Sequence, residues 1–462
     1  MQARKGTKIA AARRIALEVL RRVEAEGAFT QLSLNHSLRR HGKLSRQDRA
    51  LATELVYGTL RYRRRLDFGL AAYSSRPLEK IEPLLLRVLR LSAYQLLLLD
   101  KIPPWAAVDQ GTELAGSIRG RRAAGFVNGV LRALAANREQ IEWPDIEANP
   151  VRALGIIHSF PDWMVQRWLV DHDRERAVAI MEACNRPAPL WIRANTLRIT
   201  PDGLCGLLSA SGYEATEDNL VPGAVKLSGA GDISSLAAHE TGLFHVQDAA
   251  AQAVCHLLDP RPGQRILDAC GAPGGKTATV AELLKDNGKI LSVDINPARV
   301  SLAKKLLQRL GIGSVERLAH DLSEGLIQGM SDFDRVLLDA PCSSLGVMRR
   351  HPESKWKIFP ADLPLISETQ KRLLDNVSQA VKPGGYLVYS VCTFSREEGA
   401  ELIDEWLKLH PEFSIMDPRQ GKRAPWHKLL DNQGRLATWP DLHDMDAFFA
   451  VRLVRARGHA KS

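Results

Sequence analysis

Arg265-Ile266-Leu267-Asp268-Ala269-Cys270-Gly271-Ala272-Pro273-Gly274-Gly275-Lys276-Thr277 decides the fold of this chain. Its apolar opening reads as a strand over 265–270, its glycines and proline as a tight turn, and residues 276–285 as a helix. The alternation continues downstream, with strands predicted at 290–295, 315–319, 335–340 and 386–391 and helices at 297–310 and 367–381. A βα series of this kind folds as a mostly parallel, doubly wound sheet, here from Asp248 onward. Phe448-Phe449-Ala450-Val451-Arg452-Leu453 adds a late strand.

Glycines between a strand and a helix let a ligand approach the backbone over the helix N-terminus. Two phosphate-binding patterns compete for this turn. A Walker A loop ends as Gly275-Lys276-Thr277 does, but its opening glycine falls on Cys270. The dinucleotide pattern Gly-x-Gly-x-x-Gly is absent. Asp294 closes the second strand, where a carboxylate accepts from ribose hydroxyls; Asp321 follows the third, where one can accept from an adenine amino group. A single aspartate at a strand end is often only a cap, but a series at successive ends argues for a ligand. A turn not built for phosphates, with two such acids after it, describes S-adenosylmethionine better than ATP or NAD.

Two cysteines close later strands, in Asp339-Ala340-Pro341-Cys342 and in Ser390-Val391-Cys392-Thr393. In a parallel sheet both emerge at the carboxyl edge, where open α/β folds place their ligands. Free cysteine is among the most buried residues, so either one alone reads as core. A pair at that edge suits thiol addition to C6 of a pyrimidine, which makes C5 nucleophilic enough to take a methyl group.

The 462 residues are too many for one ordinary core, and 45% hydrophobic with 25% charged residues describes a folded chain. No apolar run reaches a membrane span, since the stretch 84–99 is broken by Arg87 and Arg90. The basic stretch 1–14 lacks the apolar core of a secretory signal. Six cysteines without a CxxC pair or His/Cys spacing fit reduced thiols in a cytoplasm and no metal site. The net charge of +10 is unevenly placed: residues 1–150 hold 26 Lys and Arg against 15 Asp and Glu, the rest 37 against 38. Runs such as Arg61-Tyr62-Arg63-Arg64-Arg65 and Arg119-Gly120-Arg121-Arg122 would attract a polyanion, or else lie on solvated helix faces.

Residues 1–145 read as all-helical. Ile15, Val19, Leu20 and Val23 recur at helical spacing, and Ser45-Arg46-Gln47-Asp48 resembles a capping box ahead of Leu51, Leu55 and Val56. The stretch 84–99 reads as a central bundle helix, and Phe126-Val127-Asn128-Gly129-Val130-Leu131-Arg132 as the start of the last one. A boundary is expected over 143–150. Residues 150–245 read as a small mixed unit with strands at 190–195, 224–227 and 243–247 and a helix near 203–209.

The motifs DACGAPGGKT (268–277), DINPARV (294–300), LLDAPCSSLGVMRRHPESKW (337–356), KPGGYLVYSVCTFSREE (382–398) and MDAFFAVRL (445–453) resemble those of the Nol1/Nop2/Sun family of RNA 5-methylcytosine methyltransferases. The helical first part, with its FVNGVLR segment (126–132), is similar to the NusB family of small RNA-binding domains. The resemblance implies three domains: an all-α NusB-like bundle over 1–145, a small α/β domain over 150–245, and a Rossmann-like class I methyltransferase domain over 246–462. It implies S-adenosylmethionine as cofactor, held by Cys270, Gly271, Ala272, Pro273, Gly274, Gly275, Lys276, Asp294, Asp321 and Asp339. It makes Cys392 the nucleophile and gives Cys342 a part in product release, with Asp339 on the N3/N4 edge of the cytosine and Lys276 lining the same pocket. The bacterial branch with a NusB-like part implies small-subunit (16S) rRNA as substrate, presented as an open or immature region, and a cytoplasmic monomer without membrane contact. One departure is Val391 before Cys392, where many members have threonine. Two rival readings stay open: a P-loop-like ATP-dependent RNA enzyme resting on Gly275-Lys276-Thr277, and a non-catalytic RNA-binding or assembly factor resting on the basic first third.

Overall fold

The computed structural model describes residues 9–42, 44–229, 233, 236–421 and 423–457. The opening of the basic stretch 1–14 and the end of the region 246–462 therefore lie outside the described residues. The chain forms two units, one holding residues up to Arg186 together with Met348–Lys357, the other Pro187–Val347 and the chain from Ile358 onward.

The first unit is helical. Helices Ala11–Ala25, Thr30–Arg40, Arg46–Arg61, Arg63–Ala71, Pro83–Leu98 and Pro104–Asn137 are followed by Pro150–Ile157, Asp162–Asp171 and Arg174–Asn185. Ile15, Val19, Leu20 and Val23 are all buried, as their spacing predicts. Ser45 caps the third helix by accepting from the Asp48 N–H at 3.0 Å. The Asp48 carboxylate accepts from the Ser45 hydroxyl, at 2.8 Å, which makes half of a capping box. Helix Pro83–Leu98 is buried at Val88, Leu89, Leu91, Ala93 and Leu96. It tolerates buried Arg87 and Arg90 because Glu24 meets Arg87 at 2.7 Å and Asp67 accepts two bonds from Arg90 at 2.6 and 2.9 Å.

The structure corrects two expectations in this unit. The last helix does not start at Phe126. The segment Pro104–Asn137 breaks at Gly120, whose φ of 75° is left-handed, and good helix formers carry the new helix from there. Nor is the run 61–65 a cationic face. Arg61 is buried and donates to the Arg349 carbonyl at 3.2 Å, Arg64 donates to the Phe160 carbonyl at 2.6 Å, and Arg65 stacks 4.8 Å from the Trp143 ring. Arg119, Arg121 and Arg122 at the break are exposed, as a polyanion contact requires.

The segment Met348–Lys357 belongs to this unit. Lys355 is 0% exposed; its amine meets Asn185 Oδ1 at 2.6 Å and the carbonyls of Arg61 and Ser159 at 3.3 and 3.4 Å. Burial pushes this amine well below the usual lysine range. Trp356 donates to the Leu60 carbonyl at 2.8 Å, and Glu353 accepts from the Thr30 N–H at 3.0 Å.

The second unit carries two sheets. Strands β1 (Leu190–Ala194), β2 (Glu214–Glu217), β3 (Ala224–Ser228) and β4 (Phe244–Val246) form an antiparallel sheet in the order β2-β3-β1-β4. Strands β5 (Arg265–Ala269), β6 (Lys289–Asp294), β7 (Val315–Ala319), β8 (Phe333–Asp339), β9 (Val381–Val391), β10 (Phe413–Ile415), β11 (Leu436–Thr438) and β12 (Phe448–Arg455) form the main sheet, ordered β10-β12-β9-β8-β5-β6-β7 with β11 beside β12. Pairs β5/β6, β6/β7, β5/β8 and β8/β9 are parallel; β12 runs antiparallel to β9. The buried Arg193 of β1 bonds to the buried Glu282 at 3.0 Å, so each neutralises a charge the core would not otherwise accept. Among the described residues no helix is long and apolar enough to cross a membrane.

Candidate active site

The order β9-β8-β5-β6-β7 places five predicted site segments side by side at the carboxyl edge of the main sheet. Cys392 follows β9, Asp339 and Cys342 end and follow β8, the glycine turn follows β5, Asp294 ends β6, and Asp321 follows β7. This edge is where a doubly wound sheet opens to ligands.

The turn after β5 is tied down from below. Gly271 donates to the Val293 carbonyl at 2.9 Å. A Cβ at Gly271 would stand 2.5 Å from Ser292 Oγ and 2.7 Å from Asp268 Oδ2, so only glycine fits. Gly274, at φ 101°, caps helix Gly275–Leu283. Thr277 donates to Asp268 Oδ2 at 2.5 Å, while Oδ1 of that buried aspartate has no hydrogen-bond partner among the described residues. Burial pushes the Asp268 carboxyl up to about 7 and the Cys270 thiol up to about 12, so Cys270 stands as a neutral wall.

Asp294 accepts from the Asn296 N–H at 2.9 Å through Oδ1; its buried Oδ2 accepts no hydrogen bond among the described residues and lies 3.4 Å from Arg299. Arg299 also donates to the Ala272 carbonyl and so joins the turn to this acid, a link that the DINPARV motif contained without its function being legible. Asp321 accepts from the Ser323 N–H at 2.8 Å through Oδ1, and the Ser323 side chain, followed by this N–H, holds its carboxyl below the usual range. A glycine-rich backbone turn beside an acid whose Oδ2 has no hydrogen-bond partner among the described residues fits the nucleoside and amino-acid parts of S-adenosylmethionine. Lys276 does not reach out as a phosphate-binding lysine would. Its amine bonds to Asp339 Oδ2 at 2.7 Å and lies 4.9 Å from the Phe448 ring. Burial would lower its pKa, but Asp339 outweighs burial and raises it, so the ammonium persists.

At the ends of β8 and β9, Asp339 pairs in register with Ser390 and accepts from its hydroxyl at 2.8 Å. Cys342 and Cys392 come together with their sulfurs 3.1 Å apart, both half-buried and neither in a disulfide. The adjacent Cys392 sulfur, and then burial, push the Cys342 thiol well above its ordinary value. Cys342 therefore keeps its proton.

Glu398 was not among the predicted site residues. It is 0% exposed and accepts from Ser343 N–H at 2.7 Å, Ser343 Oγ at 2.5 Å, Thr393 Oγ1 at 3.3 Å and Gln370 Nε2 at 3.1 Å. It thus clamps the residue after Cys342 to the residue after Cys392. Gly346 makes a second tie. Its N–H donates to the Cys392 carbonyl at 2.9 Å, and a Cβ there would fall 1.9 Å from the Ala447 carbonyl oxygen.

This geometry has counterparts in known proteins. The family model for 16S rRNA methyltransferase RsmB/F matches residues 255–454, the NusB family model 10–136, and the ferredoxin-like domain of RsmF/B-like methyltransferases 160–234. A Bacillus subtilis protein named "Probable ribosomal RNA small subunit methyltransferase B" is 37% identical over 96% of this chain and 99% of its own length. The chain belongs to the RsmB/F methyltransferase family. Ribosomal RNA small subunit methyltransferase B of Yersinia enterocolitica is 34% identical over 89% of this chain and 92% of its own. The crystal structure of PH0851 superposes with a TM-score of 0.81 at 25% identity, covering 96% of this chain and 98% of that one. The fold is accordingly a NusB-type helical domain, a ferredoxin-like domain and a Rossmann-like methyltransferase domain. The chain is an S-adenosylmethionine-dependent rRNA methyltransferase, which retires both the ATP-dependent and the non-catalytic readings.

Proposed function

We propose that this chain methylates C5 of a cytosine in 16S rRNA through a covalent bond from Cys392 to C6 of the base. The observation that carries this reading is the 3.1 Å approach of two free cysteine sulfurs beside the Lys276–Asp339 pair. Cys392, its proton released to solvent, adds as the thiolate to C6, and the C5–C6 π electrons move into the ring toward N3, leaving C5 an enamine carbon. Asp339 holds the N3/N4 edge while the Lys276 ammonium stabilises the charge that builds there. S-adenosylmethionine, when bound, supplies a methyl group on a positively charged sulfur. Once C5 is methylated, a base takes its proton, the C5–H electrons restore the double bond, and the C6–S bond breaks. Cys342, which retains its proton, gives it to the departing Cys392 sulfur.

In this reading the turn Cys270 to Lys276 and Asp294, Asp321 and Asp339 hold the cofactor. The region 1–145 grips RNA backbone, 150–245 is a small α/β domain, and 246–462 performs the chemistry. The target base must leave any stack to reach the cysteines, so an open, unassembled region of 16S rRNA is the substrate of a cytoplasmic monomer. The test is covalent trapping. The Cys342→Ala protein accumulates a denaturant-resistant complex with RNA, and the Cys392→Ala protein forms none. Trapping by Cys392→Ala instead reverses the two roles.

A further inference from the structure

At the amino edge of the main sheet lies a cavity of about 550 Å³ lined by Arg261, Arg423, Arg452, Tyr386, Trp426 and His427, among others. It is remote from the cysteines. Tyr386 precedes Cys392 by six positions along β9 and beyond, which at strand rise is about 20 Å.

Its chemistry is lopsided. Arg452 projects from β12 and is 5% exposed, and its buried Nε has no hydrogen-bond partner among the described residues. It stacks 5.1 Å from the Tyr386 ring, whose other cation is Arg335 at 4.0 Å. The acids nearby, Asp259 and Asp417, act on Arg452 through space but pair directly with other arginines. Asp259 lies 3.1 Å from Arg261 and 4.0 Å from Arg335, and Asp417 holds Arg419 at 2.8 Å. Exposed Arg423 adds a further guanidinium without an acidic partner among the described residues. Three arginines and one already paired aspartate line the space. A buried guanidinium without a directly bonded counter-ion leaves room for an anion to complete it, and planar guanidinium forks match the several oxygens of a phosphate.

We infer that this cavity is a binding site for a phosphate group, with Arg452 as its buried anchor and Arg423 as its outer arm. The phosphate belongs either to the backbone of the RNA or to a small phosphorylated molecule.

Calorimetric titration of the full chain with inorganic phosphate, then with the Arg423→Glu and Arg452→Gln proteins, tests this. One saturable site is expected in the wild type, weakened about tenfold or more by each substitution, with S-adenosylmethionine affinity unchanged. Arg423 is exposed, so Arg423→Glu decides the matter if Arg452→Gln fails to fold. Displacement of phosphate by a single-stranded RNA oligonucleotide identifies the RNA backbone as the source, and failure to displace identifies a small phosphate compound. No saturable binding in the wild type, or equal affinity in Arg423→Glu, overturns the inference.

Discussion

Glu398 touches neither thiol, and its replacement should nonetheless disable both. Glu398→Ala removes the acceptor for two hydroxyls, one backbone N–H and one amide. The hydroxyls of Ser343 and Thr393 already stand 3.0 Å apart and can pair with each other, and Gln370 keeps its bond to the Pro341 carbonyl at 2.9 Å. The Ser343 N–H is left buried and unsatisfied, at about 1–3 kcal/mol, and the emptied side-chain volume raises the total loss of stability to about 3–5 kcal/mol. Glu398→Gln behaves differently. Its amide oxygen can accept from the Ser343 N–H and Gln370, while its NH2 donates to the two hydroxyls once they rotate, so the loss should be about 1 kcal/mol. Urea unfolding measures stability, and single-turnover methyl transfer on RNA measures the placement of the cysteines. The expected result is a large fall in the methyl-transfer rate for Glu398→Ala, near-normal S-adenosylmethionine affinity, and recovery of most of the rate in Glu398→Gln. A Glu398→Ala protein within twofold of wild type in rate and unchanged in stability would refute the clamp.

Replacing Asp294 by Ala should weaken S-adenosylmethionine binding about tenfold or more while leaving RNA affinity nearly intact, since a buried acceptor is lost from the cofactor half alone; unchanged cofactor affinity in equilibrium binding would remove Asp294 from the site. Asp268 gives a pH signature. The folded chain holds this proton to about 7 while the unfolded chain releases it near 3.8, so stability falls as pH rises through that window, by up to about 4 kcal/mol. Asp268→Asn should gain on wild type as pH rises from about 4 to about 7 in urea unfolding, and a pH-independent difference would contradict the raised carboxyl.

What was legible in the sequence is what local chemistry sets. The predicted helix 297–310 is observed as Pro297–Leu310 because Asn296 caps it, Pro297 opens it and Gly311 closes it at φ 75°. Strand β7 matches residue for residue, whereas β9 starts at Val381 instead of 386 because Phe333 pairs with Val381 across an irregularity in β8. The three helices from Pro150 to Asn185 were not anticipated inside a mixed unit, nor were the short strands β2, β10 and β11, which are too brief to show a period. Helix Ala249–Leu258 did carry a local signal, Asp248 accepting from the Ala250 N–H at 2.9 Å, but its alanines give no amphipathic pattern because nearly all are buried. The cysteines, the turn and the strand-end acids were legible because chemistry limits those positions to few residue types. Glu398 was not, since its partners lie on two loops that only the tertiary fold brings together.

The same limit applies to the charge of the first third. Composition shows an excess of arginine over residues 1–150, but not which arginines face solvent. Arg61 and Arg64 are structural donors and Arg65 stacks on Trp143, so the RNA-binding case rests on residues such as Arg119, Arg121 and Arg122. Nor does the chain divide for study where its domains divide in sequence. The first unit is completed by Met348–Lys357, only six positions beyond Cys342. Removing residues before 150 would take away the Leu60 and Arg61 carbonyls on which Trp356 and Lys355 depend. A buried lysine amine and an indole N–H would then lose acceptors in the stretch just after Cys342. A fall in RNA affinity or in methyl transfer by a fragment starting at 150 would therefore mix lost phosphate contacts with a disturbed cysteine segment. Substitution of the exposed arginines in the full chain separates the two, because it changes charge while leaving every acceptor of Lys355 and Trp356 in place.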